Sequence, residues 1–137
     1  LHYLADKFPE AKLGGDGSLR ERAEVNRWLA FVNADVHPTF HPLFGTEAYL
    51  GPEAEAKSKE HAKRALRGYF QRADAQLAGK DWLTGSRSIA DPYLFVITQW
   101  AKKTGVDLSG LDNLAAFDAR MAADPGVQAA LKAEGLL

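Results

Sequence analysis

Residues 82–95 of the chain read WLTGSRSIADPYLF, and this stretch predicts the start of a buried helix. Ser88 and Asp91 have the spacing of a capping box. In such a box the Ser88 hydroxyl accepts a hydrogen bond from the Asp91 amide, and the Asp91 carboxylate accepts one from the Ser88 amide. The residues after the cap are apolar on nearly every face of a helix, so we expect this helix to run through the middle of the domain. An aspartate close to a serine also admits a catalytic interpretation, but the cap accounts for both residues.

Composition and charge describe one ordinary globular domain and exclude several classes of function. Of the 137 residues, 46% are hydrophobic and 26% are charged, and the net charge is −1. Nucleic acids and anionic membranes require a concentrated basic patch, so neither is expected as a partner. The chain has no cysteine, which excludes disulfides and thiolate catalysis from these residues and is compatible with a reducing cytoplasm. Its four histidines lack metal-ligand spacing, so no metal site is expected.

Helical periodicity and helix-start signals predict six helical segments and no strand, and therefore an all-α fold. Ser18 and Glu21 form a second capping box. Pro38 is expected to push His37 out of the α region and to end or kink the helix there. The charged residues 53–67 predict a solvated helix face. The predicted segments are 1–7, 18–37, 52–78, 90–103, 111–123 and a last helix that begins at Asp124 and ends at Gly135.

Three stretches together resemble the C-terminal helical domain of the glutathione S-transferases. In that family a buried central helix opens with a Ser/Thr-x-x-Asp box behind a short apolar stretch with glycine, as in residues 82–91. Residues 27–44 and 124–136 are most similar to the bacterial beta class. The resemblance covers essentially all 137 residues in order, which makes it more specific than any single motif.

The resemblance implies a longer protein. It assigns residues 1–17 to the end of a thioredoxin-like N-terminal domain and its linker, although 1–7 also fit a first helix of this domain itself. Residues 18–137 then form the all-helical C-terminal domain. The resemblance implies a cytoplasmic bacterial homodimer for detoxification, with glutathione as co-substrate, no other cofactor and a hydrophobic electrophile as its second partner. Glutathione is either conjugated to the electrophile or used as a reductant. Because the missing domain supplies most of the glutathione site, we expect this chain alone to be inactive.

His37 is the main candidate catalytic residue. It lies near the end of a long helix, where the partial negative charge of the helix terminus favours an imidazolium, and a purely capping role is the alternative. The resemblance places residues 36–40 at a beta-class segment whose histidine faces the thiol of bound glutathione. A positive or hydrogen-bonding group at that place stabilises the thiolate nucleophile.

Three nearby positions bear on glutathione binding. Asp35 occupies a glutamate position that in relatives can reach glutathione held by the neighbouring subunit, and an exposed helix charge is the alternative. Pro38 stands where a lysine is usual, and Ala30 stands where the class often has an asparagine. Both departures remove a polar contact and predict weaker glutathione binding than in typical relatives.

Aromatic residues are the candidates for the electrophile site. The resemblance aligns Trp100 with a tryptophan that lines this pocket in beta-class relatives. Phe40, Phe44 and Tyr93 are weaker candidates for the same apolar wall. For each of them packing in the core is the alternative, because aromatic residues at helical spacing are more often core.

Two functions from different classes remain open at this stage. The first is an enzyme, in which this chain supplies His37 and the electrophile wall. The second is a non-catalytic helical interaction module, since the same fold occurs fused to translation factors and synthetases. The His37 segment and Trp100 favour the enzyme, and a strongly basic surface, which would favour docking, is not evident.

Overall fold

The computed structural model describes residues 1–45 and 50–137, and these residues form helices and connecting turns without a strand. This confirms the predicted all-α fold. A π-helical turn spans Val32–Val36, and 3-10 helices span Pro9–Ala11 and His41–Phe44. The α-helices are α1 (His2–Lys7), α2 (Leu19–Phe31), α3 (His37–Thr39), α4 (Pro52–Leu77), α5 (Ala90–Thr104), α6 (Asp112–Ala123) and α7 (Pro125–Ala133).

Helix α5 is the central element of the core. It packs against α2, the π-helical turn and α6, while α4 packs against α6. Leu94 and Ile97 are fully buried, but Val96 is 44% exposed and Tyr93 and Trp100 are only partly buried. The predicted buried central helix is thus confirmed, with one partly open side at Val96.

The cap of α5 is built on the carboxylate of Asp91, which is fully buried. Its Oδ2 accepts from the amide and the hydroxyl of Ser88 at 2.7 and 3.1 Å, and its Oδ1 accepts from the amide of Leu83 at 3.0 Å. The predicted bond from the Ser88 amide to Asp91 is thus confirmed. The predicted partner of the Ser88 hydroxyl was wrong, because this oxygen accepts from the amide of Ala90 at 3.2 Å rather than from Asp91.

Residues of the predicted linker complete the same cap. The amide of Ile89 donates to the carbonyl of Leu13 at 2.8 Å. Ile89 is 2% exposed, so water does not replace this acceptor. The segment 8–16 is thereby fixed to the start of the central helix.

The start of α2 differs from a complete capping box. The Ser18 hydroxyl accepts from the amide of Glu21 at 3.1 Å, as predicted. The Glu21 carboxylate, however, accepts from the amide of Asp16 and the hydroxyl of Ser86. The amide of Ser18 donates instead to the Asp16 carboxylate at 2.7 Å. The bond that a capping box predicts from the Ser18 amide to Glu21 is therefore absent among the described residues. Glu21 instead accepts from Ser86, 65 positions away, and local spacing does not reveal such a partner.

The prediction that Pro38 pushes His37 out of the α region was wrong, although the helix is deformed by a π-helical turn directly before it. His37 keeps α-helical angles of φ −56° and ψ −52°, and its amide donates to the carbonyl of Val32, five residues earlier. A π-helical turn accommodates an extra residue, so the proline, which has no amide hydrogen, is accommodated without ending the helix. The extra residue rotates the following side chains by about 100° relative to a continuous α-helix. The helix then ends in the 3-10 turn His41–Phe44.

The remaining helix ends follow their local signals. Pro52 occupies the first turn of α4, and Gly105 ends α5 in the left-handed region at φ 70°. The Asp124 carboxylate accepts from the amides of Gly126 and Val127, as predicted for an N-cap. Within the described residues no helix is long and apolar enough to span a membrane.

We expect Asp91→Ala and Ser88→Ala each to lower the free energy of unfolding by about 1–3 kcal/mol, because each leaves buried donors without an acceptor. Chemical denaturation of each variant measures this loss. Ser18→Ala is the matched control, since the Ser18 cap is exposed and its removal should cost about 0.5–1 kcal/mol. Losses at Asp91 and Ser88 no larger than at Ser18 would contradict a buried cap.

Burial raises the pKa of Asp91 above its ordinary value of 3.8, while the hydrogen bonds from Leu83 and Ser88 oppose this rise. A carboxyl whose pKa is raised by folding binds its proton more tightly in the folded state. Its contribution to stability therefore falls as pH rises through the interval between the unfolded and folded pKa. We expect Asp91→Asn, which cannot titrate, to cost more unfolding free energy at about pH 4 than at about pH 7. A cost that grows with pH would show that the hydrogen bonds outweigh burial.

Candidate functional site

His37 is held by a hydrogen-bond chain between two helices. Its Nδ1 lies 2.7 Å from the hydroxyl oxygen of Tyr93 on α5. The Tyr93 hydroxyl donates in turn to Oδ1 of Asn33 at 3.1 Å. Asn33 and His37 are four residues apart in the segment that contains the π-helical turn, so a single tyrosine joins both of them to the central helix.

This chain of bonds favours one tautomer of His37. A phenol has one hydrogen, and with the Asn33 amide oriented so that Oδ1 faces the phenol, that hydrogen is donated to Asn33. The Tyr93 oxygen then accepts from Nδ1–H of His37. Burial raises the pKa of Tyr93 above its ordinary value of 10.0, which keeps the phenol protonated. The neutral imidazole consequently presents Nε2 as a free acceptor, which is the form that a general base requires.

Aromatic rings surround the imidazole. The indole of Trp100 meets the His37 ring edge to face, with ring centroids 4.9 Å apart. Trp100 also contacts Phe40 and Phe44, with centroids 5.7 and 5.1 Å apart. Phe40 is 0% exposed and supports Trp100 from the core side, whereas Phe44 is 47% exposed. The result is a partly open aromatic surface next to the imidazole ring of His37.

Two cavities flank this surface. The first, about 310 Å³, is lined by Tyr93 and Asn33 together with Ala30, Leu29, Asn26, His2 and Leu1. The second, about 460 Å³, is lined by Trp100 and Phe44 together with Leu43, Thr104 and three lysines, Lys59, Lys63 and Lys103. His37 contacts Tyr93, which lines the first cavity, and Trp100, which lines the second.

The structure brings most of the predicted site residues together. His37, Phe40, Tyr93 and Trp100 form one connected group. Asp35 is exposed on the π-helical turn and lines neither cavity. Ser88 and Asp91 lie in the buried cap and also line neither cavity.

Sequence analysis missed two sets of residues. Asn33 was not considered, although its spacing of four from His37 places the two on adjacent turns. Lys59 and Lys63 were assigned only to a solvated helix face, and the structure places both of them at the second cavity. Their spacing of four on α4 shows that they share one side of that helix, but only the position of α5 reveals what this side faces.

Residues 21–125 match the family described as glutathione S-transferase, C-terminal domain. The chain belongs to this family. It is 58% identical over 138 residues to glutathione S-transferase GST-4.5 of Xanthomonas campestris pathovar campestris, covering 99% of the chain and 68% of that protein. The chain is thus the C-terminal domain of a glutathione S-transferase. The Xanthomonas relative is about half as long again as this chain.

Solved glutathione S-transferase structures agree with this assignment. The enzyme from Xylella fastidiosa is 57% identical with a TM-score of 0.97, and the match covers 100% of this chain and 68% of that one. The bacterial beta class enzyme from Sphingomonas chungbukensis is 37% identical with a TM-score of 0.85, covering 100% and 66%. The predicted resemblance to the beta class is confirmed, and these relatives support the enzyme rather than the interaction module.

We expect the neutral form of His37 to carry its proton on Nδ1, because the Tyr93 oxygen accepts there. Long-range proton–nitrogen correlation spectra of the imidazole at alkaline pH distinguish the two tautomers. In Tyr93→Phe the phenolic partner is lost, and we expect a mixture of tautomers with Nε2–H prevailing, as in free histidine. His61, exposed on α4, is the internal control and should be unaffected. A wild-type His37 protonated on Nε2 would contradict the assignment.

Proposed function

We propose that the protein containing this domain transfers glutathione to electrophiles, or uses it as a reductant, with the glutathione thiol beside His37. The observation that carries the proposal is the His37–Tyr93–Asn33 chain, which leaves Nε2 as an acceptor on a ring that contacts an aromatic surface. Membership of the glutathione S-transferase family supplies the identity of the thiol.

The chemistry requires a thiolate, because the thiol itself is a weak nucleophile. Nε2 of His37 accepts the thiol proton and becomes an imidazolium that stabilises the sulfur anion. With a halogenated electrophile the sulfur–carbon bond forms as the carbon–halogen bond breaks. The halide leaves with the bonding electrons, and the imidazolium proton passes to solvent. His37 is the proposed catalytic residue, and Tyr93 and Asn33 position its ring.

A thioredoxin-like N-terminal domain is proposed to supply the rest of the glutathione site. Residues 1–17 would then be the end of its last helix and the linker, and 18–137 the all-helical domain. Exposed apolar side chains on and beside α1 support a covering domain, since Tyr3 is 70% and Leu4 51% exposed. Because most of the glutathione site would then lie in the N-terminal domain, this chain alone is proposed to be inactive in glutathione conjugation.

The electrophile is proposed to lie against Trp100 and Tyr93, with Phe40 behind the indole. Both outer side chains are only partly buried and border a cavity, which supports their contact with a ligand. Phe40 is fully buried, so its contribution is to hold Trp100 in place.

One contact to glutathione is proposed to cross between the two subunits of a homodimer. Asp35 is exposed and carries a carboxylate suited to the α-amino group of glutathione held by the neighbouring subunit. With Pro38 and Ala30 in place of polar residues, the KM for glutathione is expected to be high. Activity is proposed to reside in the cytoplasm, where glutathione keeps thiols reduced.

In the full-length protein, we expect His37→Ala to lower kcat/KM by a factor that corresponds to about 1–3 kcal/mol, the scale of one charge-assisted contact. The free energy of unfolding should change less, because a histidine near a helix end contributes only about 0.3–1 kcal/mol through the dipole. Steady-state kinetics and chemical denaturation on the same variant measure both quantities. His61→Ala is the matched control for histidine removal. A loss of stability with unchanged kcat/KM would make His37 a structural residue.

A further inference from the structure

The second cavity combines an aromatic wall with a cluster of positive charge. Trp100, Phe44 and Leu43 form the apolar side, and Lys59, Lys63 and Lys103 form the other. Among the described residues that line it there is no carboxylate. The chain as a whole has a net charge of −1, so this concentration of lysines is local and does not reflect a basic protein.

Two of the three ammonium groups have no ion-pair partner among residues 1–45 and 50–137. Lys59 pairs with Glu55 one turn earlier on α4. Lys63 and Lys103 make no ion pair with any described residue. They are therefore positive charges at the edge of an apolar cavity with no described counterion.

The end of α5 explains why these like charges are tolerated together. Lys103 is in the last turn of α5, and Nζ of Lys63 lies 3.4 Å from the position that a Cβ on Gly105 would occupy. Gly105 ends the helix, where the backbone carbonyls carry partial negative charge. That charge offsets part of the repulsion between the lysines and holds Lys63 at the rim of the cavity.

We propose that this cavity binds the acidic group of the second substrate, so that the electrophiles of this enzyme are aromatic carboxylates or sulfonates. The aromatic part lies along Trp100 and the anion meets Lys63 and Lys103. Trp100 also contacts His37, with ring centroids 4.9 Å apart, so an aromatic molecule along the indole lies near the imidazole ring. The substrate class rests on the proposed function, whereas anion binding by the cavity does not.

Binding is tested on this chain with a matched pair of unreactive probes. 8-Anilino-1-naphthalenesulfonate carries the anion, and N-phenyl-1-naphthylamine has the same rings without it. Fluorescence titration should show tighter binding of the sulfonate. Lys63→Gln and Lys103→Gln should each raise its Kd about three- to fivefold, the range for one partly exposed ion pair, and leave the neutral probe unchanged.

Lys57→Gln is the matched control, because it removes the same charge from the same helix, outside this cavity. It should change neither Kd by more than about twofold. Trp100→Leu should raise the Kd of both probes, because the rings of both are proposed to lie against the indole. Equal affinity for the two probes, equal weakening of both by the lysine variants, or an equal effect of Lys57→Gln would overturn the proposed anion site.

The substrate class is tested on the full-length protein with 4-chloro-3-nitrobenzoate and its methyl ester. Lys63→Gln and Lys103→Gln should raise KM for the acid about three- to fivefold and leave KM for the ester unchanged. If the sulfonate probe binds through the lysines but neither compound is conjugated, the proposed transferase function fails and the anion site stands. If both compounds are conjugated and the lysine variants change KM for the acid and for the ester equally, the substrate class is overturned and the transferase function stands.

Discussion

The buried carboxylate of Asp91 is the constraint on which the rest of the domain depends. It accepts from the amide of Leu83 and from both donors of Ser88 in a fully buried position. A buried carboxylate is tolerable only when its oxygens are hydrogen-bonded, so residues 83–91 can adopt only conformations that bring these donors together. That requirement fixes where α5 begins, and with it the direction in which Tyr93 and Trp100 extend from its open side.

The site forms where this fixed helix meets a deformed one. Tyr93 and Trp100 come from α5, whereas Asn33 and His37 come from the segment with the π-helical turn. Neither segment alone defines the state of the imidazole, because the tautomer follows from a bond between them. The chemistry proposed for His37 is therefore a property of the packing as much as of the residue.

Features that depend on neighbouring residues were predicted well from the sequence, and features that depend on tertiary contacts were predicted poorly. Caps at Ser18 and Asp124 and the helix end at Gly105 depend on neighbours within a few residues, and each was found where expected. The partner of Glu21 and the π-helical turn depend on tertiary structure, which periodicity does not contain. For the site, the resemblance selected His37, Tyr93 and Trp100, which the structure brings together. The lysines were overlooked because a charged helix face has the same pattern whether it faces water or a cavity.

The π-helical turn makes the position of His37 depend on the number of residues before it. The turn places five residues, Val32–Val36, where an α-helix would place four. Removal of one residue would restore a regular helix and turn His37 away from Tyr93 by about 100°. The core contacts of Val25 and Trp28, earlier in the same helix, would persist. In this part of the chain, the insertion or deletion of a single residue is therefore incompatible with the site.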